Sequence, residues 1–162
     1  MSKREAYLFY EAGQAVAAAH LGLNIRHVCT NPALGATNIV VPRDDPKLRI
    51  TLWLTGMAAE KKGAGRSDPL RRTRNRARIR ALLESPGASR TNKPPSTRNL
   101  RNQAQDRANA ICTDLFDAIV EVVDRLRTTD LLDGGEIHAI VRAVKLRRSK
   151  LARQSLPEPP SI

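Results

Sequence analysis

The sequence predicts a mostly helical α+β domain with one small sheet and a C-terminal helical hairpin. Three observations predict it. Apolar residues recur at three- and four-residue spacing in several long stretches. Two short β-branched runs, "IRHVCT" (25–30) and "GATNIVV" (35–41), flank the turn "NPAL". The aromatic fraction is 3% against an apolar fraction of 41%, so the core must be built from Ala, Leu, Ile and Val, which favours helices. A chain of 162 residues is the length of one domain, taken as 1–153, with a disordered tail at 154–162.

The elements follow in order. Residues 4 to 21 form a helix on the spacing of Ala6, Phe9, Gly13, Ala17 and Leu21, stopped by Gly22 with Asn24. The two strands come next, then a turn from Pro42 to Pro46. A second helix spans 47–62, and "GAGRS" breaks it. "SDP" starts a third helix, running to about Leu83: Ser67 or Asp68 can cap it, and Pro69 suits its first turn. Its arginines stand at nearly alternate positions. That places them around most of the helix, so some must line a crevice or meet partners. "SPGASRTNKPPSTRN" (85–99) is read as an exposed, mobile loop. The longest helix is expected at about 98–127, on a stripe from Ala104 to Leu126. "LLDGGEI" then turns the chain into a last helix at 134–152.

Charge is unevenly distributed. Of a net +12, the segment from Lys61 to Arg107 carries fourteen basic residues against Asp68, Glu84 and Asp106. A second cluster, Arg142 to Arg153, holds six basic residues and no acid. Such patches attract phosphate backbones or other anionic surfaces; a solvated helix exterior is the alternative. The arginines of the third helix, Arg71, Arg72, Arg74, Arg76, Arg78 and Arg80, are the candidates for nucleic-acid contact. With so few aromatics, that contact would be phosphate-driven and salt-sensitive. No run approaches the roughly 18 apolar residues of a membrane span, and no apolar signal core follows the N-terminus. A cytoplasmic protein with no membrane partner is expected. Cys29 and Cys112 are far apart and match no CxxC pattern, so reduced core thiols are expected.

One stretch has chemical content. In "YEAGQAVAAAH" (10–20), Glu11 stands where the glutamate of the zinc-protease signature H-E-x-x-H stands, while Tyr10 and Gln14 fill its two histidine positions. Further motifs follow in a fixed order: "NPALGAT", "LTGMAAEKKGAG", "SDPLRRTRNRAR" and "LLDGGEIHAIV". Together, over about residues 5 to 145, they resemble the peptidase domain of the FtsH-type AAA zinc metalloproteases and their small stand-alone relatives. That resemblance implies a zincin-related fold, with a small edge sheet packed on the signature helix. It implies Glu11 as the remnant general base, Asp68 as the remnant third zinc ligand, and Tyr10 and Gln14 at the lost ligand positions.

The departures decide the chemistry. Residues i and i+4 lie about 40° apart on a helix, so Tyr10 and Gln14 face one place. A phenol with a pKa of about 10 and a neutral amide are poor zinc donors, and catalytic zinc sites use three protein ligands. His20, His27 and His138 are not placed to complete a set. No cofactor is therefore expected, although the family uses zinc. Taken singly, Glu11 also reads as a helix-surface acid, Asp68 as an N-cap and Gly13 as a close-packing glycine. The expectation is a non-catalytic relative that keeps a peptide groove and binds a peptide or protein segment by strand addition along 35–41, at Gly35, Ala36 and Thr37. A basic nucleic-acid-binding protein is the first alternative, and an active metalloendopeptidase with an atypical metal site is the second. The oligomeric state is left open.

Overall fold

Residues 12–19 are nearly all small, which lets a helix be surrounded on every side. In the computed structural model, which describes residues 2–31, 37–42, 45–84 and 97–154, this helix is the centre of the fold. Helix α1 (Lys3–His20) starts on Ser2, whose Oγ accepts the Glu5 N–H at 3.2 Å, and buries almost its whole circumference from Ala6 to Ala19. Gly22, at φ 72°, ends it as expected.

Helix α2 (Pro46–Ala64) is its main neighbour. Asp45 Oδ1 caps α2 through the Leu48 N–H at 2.9 Å, Pro46 occupies the first turn, and Gly65 closes it at φ 72°. The two helices touch backbone to backbone. A Cβ on Gly13 would stand 2.6 Å from the Ala59 Cβ, and one on Gly56 would stand 2.9 Å from the Tyr10 carbonyl oxygen. Close packing is thus what Gly13 supplies.

Helix α3 (Pro69–Glu84) follows, and Asp68 caps it. Its inward stripe is Arg71, Asn75, Ile79 and the half-buried Leu82 and Leu83; the rest faces outward. The 98–127 helix is two helices, α4 (Thr97–Asp114) and α5 (Phe116–Thr128), broken at Leu115. Leu115 and Phe116 are adjacent, so a straight helix would aim them about 100° apart. Leu115 is buried in the core, and Phe116 stacks on Phe9 with ring centres 6.2 Å apart. The longest helix is instead α6 (Gly134–Gln154), which packs beside α5 as the expected C-terminal hairpin.

The sheet has three strands, one more than the sequence suggested, in the order β2-β1-β3. β1 (Asn24–Cys29) is central and pairs antiparallel with β2 (Asn38–Val40) and with β3 (Leu131–Asp133). β3 lies in the segment read as a turn. Three residues are too few to show an alternation, and their pairing with His27, Val28 and Cys29 is tertiary. Asp133 and Glu136 then form a reciprocal capping box at the start of α6, at 2.9 and 3.0 Å.

Two apolar clusters hold the fold. The larger surrounds α1; the smaller joins α2, α3 and α4 through Ile50, Leu54, Ile79, Ala104 and Ala108. Cys29 and Cys112 are buried free thiols. No helix among the described residues is long and apolar enough to cross a membrane. The expected loop 85–99 is helical from Thr97, and the tail expected from 154 still has Gln154 in α6; residues 85–96 and 155–162 lie outside the described residues.

Candidate functional site

A cleft of about 620 Å³ opens between α1, the β2 edge, α2 and α3. Tyr7, Tyr10, Glu11 and Gln14 form its α1 wall, and Thr37 with Ile39, Val40 and Val41 forms the opposite one. Arg49 and Trp53 from α2 and Arg78 from α3 also line it. The i, i+4 geometry therefore does what the sequence predicts: Tyr10 and Gln14 face one groove, with Glu11 between them. Thr37, of the predicted peptide contacts, lines the groove; Gly35 and Ala36 lie outside the described residues. Thr37 also ties the strands together, since its Oγ1 accepts the Cys29 N–H at 3.1 Å.

Glu11 is buried rather than a surface acid, at 6% exposure. Burial pushes its carboxyl pKa up, opposed by the hydroxyls of Thr37 and Tyr7 and by the Arg71 guanidinium. The Tyr7 phenol is raised in turn, by burial and by the Glu11 charge. A raised carboxyl pKa contributes stability below the unfolded value and loses it as pH rises through the folded one. Glu11→Gln keeps the acceptor for Tyr7 without the buried charge. It is expected to stabilise the protein by on the order of 1 kcal/mol at pH 8, a gain that vanishes toward pH 4. Urea unfolding at the two pH values checks this; an Oε contact essential to the fold would give a loss at both.

The remaining candidate residues sit beside the groove, around a cation. Asp68 does not line the groove. Its Oδ1 accepts the N–H groups of Leu70 and Arg71 at 2.9 and 3.4 Å, and its Oδ2 lies 3.7 Å from Arg71 Nη2. Burial opposes ionisation of Asp68, but these donors hold its pKa below the ordinary range. Arg71 also reaches Glu60, with Nη1 to Oε1 at 2.6 Å, and Glu60 Oε1 accepts the Asp68 N–H at 2.8 Å. The Glu60 side chain is wholly buried, and among the described residues its Oε2 has no hydrogen-bond partner. Burial raises its pKa, against the Asp68 N–H and Arg71. The guanidinium carbon of Arg71 lies 5.1 Å from the Tyr7 ring centre and 5.0 Å from that of Tyr10.

Do these groups fit a zinc ion? The Tyr10 hydroxyl accepts the Asn75 amide at 2.8 Å, and burial pushes its pKa up to about 12, so a phenolate is further from reach than in water. Gln14 offers a neutral amide. Asp68 is engaged by backbone donors and by Arg71. A fixed positive charge already touches both Asp68 and Tyr10, two of the three positions assigned to ligands by resemblance. His138 Nε2 faces the Leu23 carbonyl at 3.2 Å, and none of the three histidines lines the groove. Among the described residues no group of three His, Cys, Asp or Glu converges. The residues do not fit zinc.

Sequence reasoning missed Tyr7, Glu60, Asn75 and the inward role of Arg71. The signals were present but ordinary: Tyr7 stands one turn before Glu11, and Glu60 follows "GMAA" on a small-residue face. No protein-family model matches the chain, and no curated protein matches it significantly.

Proposed function

We propose that this protein is a non-catalytic relative of the FtsH-type zinc metallopeptidase domains, a cytoplasmic protein that binds an extended protein segment in the groove beside β2. One observation carries the loss of chemistry: the Arg71 guanidinium bridges Glu60 and Asp68 beneath Tyr10, supplying a permanent cation among residues that would otherwise serve a metal. Without a metal there is no water of lowered pKa for Glu11 to deprotonate.

Peptide binding is supported by the edge. Among the described residues β2 pairs only with β1, so its outer edge offers backbone groups along a groove with apolar residues Ile39, Val41 and Leu52. Arg49 and Arg78 give the groove two cations with no ion-pair carboxylate among the described residues, so an acidic segment fits it best.

The test is fluorescence anisotropy with a labelled peptide of alternating Asp and Val, beside the same peptide with Lys for Asp. Saturable binding of the Asp peptide, weakened about tenfold by Arg49→Ala with Arg78→Ala, is expected. Equal affinity for both peptides, or none, would refute the groove's assignment. Casein cleavage suppressed by a chelator would refute the non-catalytic reading and restore an active metalloendopeptidase.

A further inference from the structure

The two basic clusters of the sequence have different fates. On α6, Arg147 pairs with Glu121 at 2.8 Å and Arg148 lies 3.5 Å from Asp117, so α5 neutralises part of that cluster. On α3 only Arg71 has acidic partners among the described residues. Arg72, Arg74, Arg76, Arg78 and Arg80 are exposed and have no ion-pair carboxylate among the described residues. Like charges at this density repel one another, and Glu84, among the described residues, stands near them without forming an ion pair.

Three of them, Arg72, Arg76 and Arg80, also belong to a shaped surface. Arg76 and Arg80 of α3 face Arg101 of α4 across a depression of about 380 Å³ floored by Ile79 and Leu83. A second depression, of about 500 Å³, shares Leu83, Thr97 and Arg101 with the first and adds Arg98. A third, of about 610 Å³, shares Gln105 with the second and is walled by Lys61, Lys62 and Arg72. The shared residues make one continuous track running from α3 over α4 to the end of α2. Among the described residues Glu84 is its one carboxylate, and no aromatic side chain lines it. The track is separate from the peptide groove: none of its lining residues lines the cleft at Tyr10.

We infer that this α2–α3–α4 track is a binding site for the phosphate backbone of duplex nucleic acid. Charge complementarity and shape both point there. Arginines spaced along an exposed helix of 16 residues, about 24 Å long, match a regularly charged rod better than a point anion. Polar Thr97, Asn102 and Gln105 between the cations suit phosphate oxygens. Single strands are held largely by base stacking on aromatic side chains, and the described track has none, so the duplex is the favoured form. Binding is expected to be independent of sequence. The track works independently of the peptide groove and of the fate of the metal site.

The test is anisotropy of a labelled random duplex of about twenty base pairs, titrated at about 50 and about 200 mM salt. Two variants carry the same change in net charge. In the first, Arg76→Glu, Arg80→Glu and Arg101→Glu strike the track; in the second, Arg142→Glu, Lys150→Glu and Arg153→Glu strike α6. All six side chains are exposed, and thermal melting verifies the fold of each variant. The track variant is expected to lose at least about thirtyfold in affinity at low salt, and its log–log salt slope to fall by about 0.9 for each phosphate it no longer neutralises. The α6 variant is expected to stay within about threefold. Equal losses in both variants would reduce the effect to net charge and overturn the site. Polyglutamate competing as well as unlabelled duplex would assign the track to acidic proteins and overturn it too. Tighter binding of the single strand would overturn the choice of duplex.

Discussion

Replacing Arg71 with methionine is expected to destabilise the protein by about 3 kcal/mol at pH 7, lowering the melting temperature by roughly 6–12 °C for a chain of this size. Methionine keeps the length and loses the charge. It strands Glu60, whose side chain is wholly buried and whose Oε2 already lacks a partner among the described residues. It also removes the cation from the faces of Tyr7 and Tyr10. The sign of the pH dependence follows from Glu60. Its folded pKa lies above the unfolded one even with Arg71 present, and removing the cation raises it further. Without Arg71, a protonated Glu60 is expected to be tolerated by the fold and an ionised one is not. The deficit of Arg71→Met should therefore be small near pH 4 and grow as pH rises through the folded pKa. Adding Glu60→Gln, which can still accept the Asp68 N–H, should recover most of the loss at pH 7. Thermal melting of the wild type and of both variants across pH 4 to 8 reads all of this. A deficit that does not change with pH would mean that Arg71 acts through packing alone.

The second large effect concerns the metal. Tyr10→His with Gln14→His puts two imidazoles on the groove wall, one turn apart and flanking Glu11. In this background Arg71 still engages Asp68, and two like charges a few ångströms apart repel by several kcal/mol at an effective dielectric of about 20. The double variant is therefore expected to bind zinc weakly. Adding Arg71→Ala frees Asp68 and removes the competing charge. The triple variant is expected to retain close to one zinc per chain through desalting, with the zinc raising its melting temperature. Zinc uptake by the double variant equal to that of the triple would show that Arg71 does not compete with a metal. Absence of zinc in a folded triple variant would place Asp68 beyond the reach of the two histidines.

Much of the fold was legible in the sequence because its signals are local. Ser2, Asp45 and Asp68 cap helices through contacts within three residues, and Gly22 takes the left-handed backbone expected of a helix stop. Facing of Tyr10 and Gln14 into one groove follows from helical geometry. What escaped is tertiary. β3 exists because β1 offers an edge a hundred residues away, and the break at Leu115 carries no Gly or Pro to mark it in the sequence. The candidate site divides along the same line. That Tyr10 and Gln14 stand at the histidine positions of the resembling signature can be read from the letters, but not the cation: Glu60 and Arg71 stand eleven residues apart, across the turn that closes α2, and neither belongs to α1. The arginines of α3 are all alike in the sequence. Only packing distinguishes Arg71, which faces Glu60, from Arg78 at the peptide groove and from Arg76 and Arg80 on the basic track.

In the reading proposed above, a guanidinium stands where a metal would serve in the family that the chain resembles. Elemental analysis of zinc per chain, on untagged and folded wild-type protein soaked in zinc and desalted, tests it most directly. Far less than one zinc per chain is expected, since the three positions offer a phenol, an amide and a carboxylate already held by Arg71. Near-stoichiometric zinc would contradict the claim, and would mean that Arg71 yields its place to the ion.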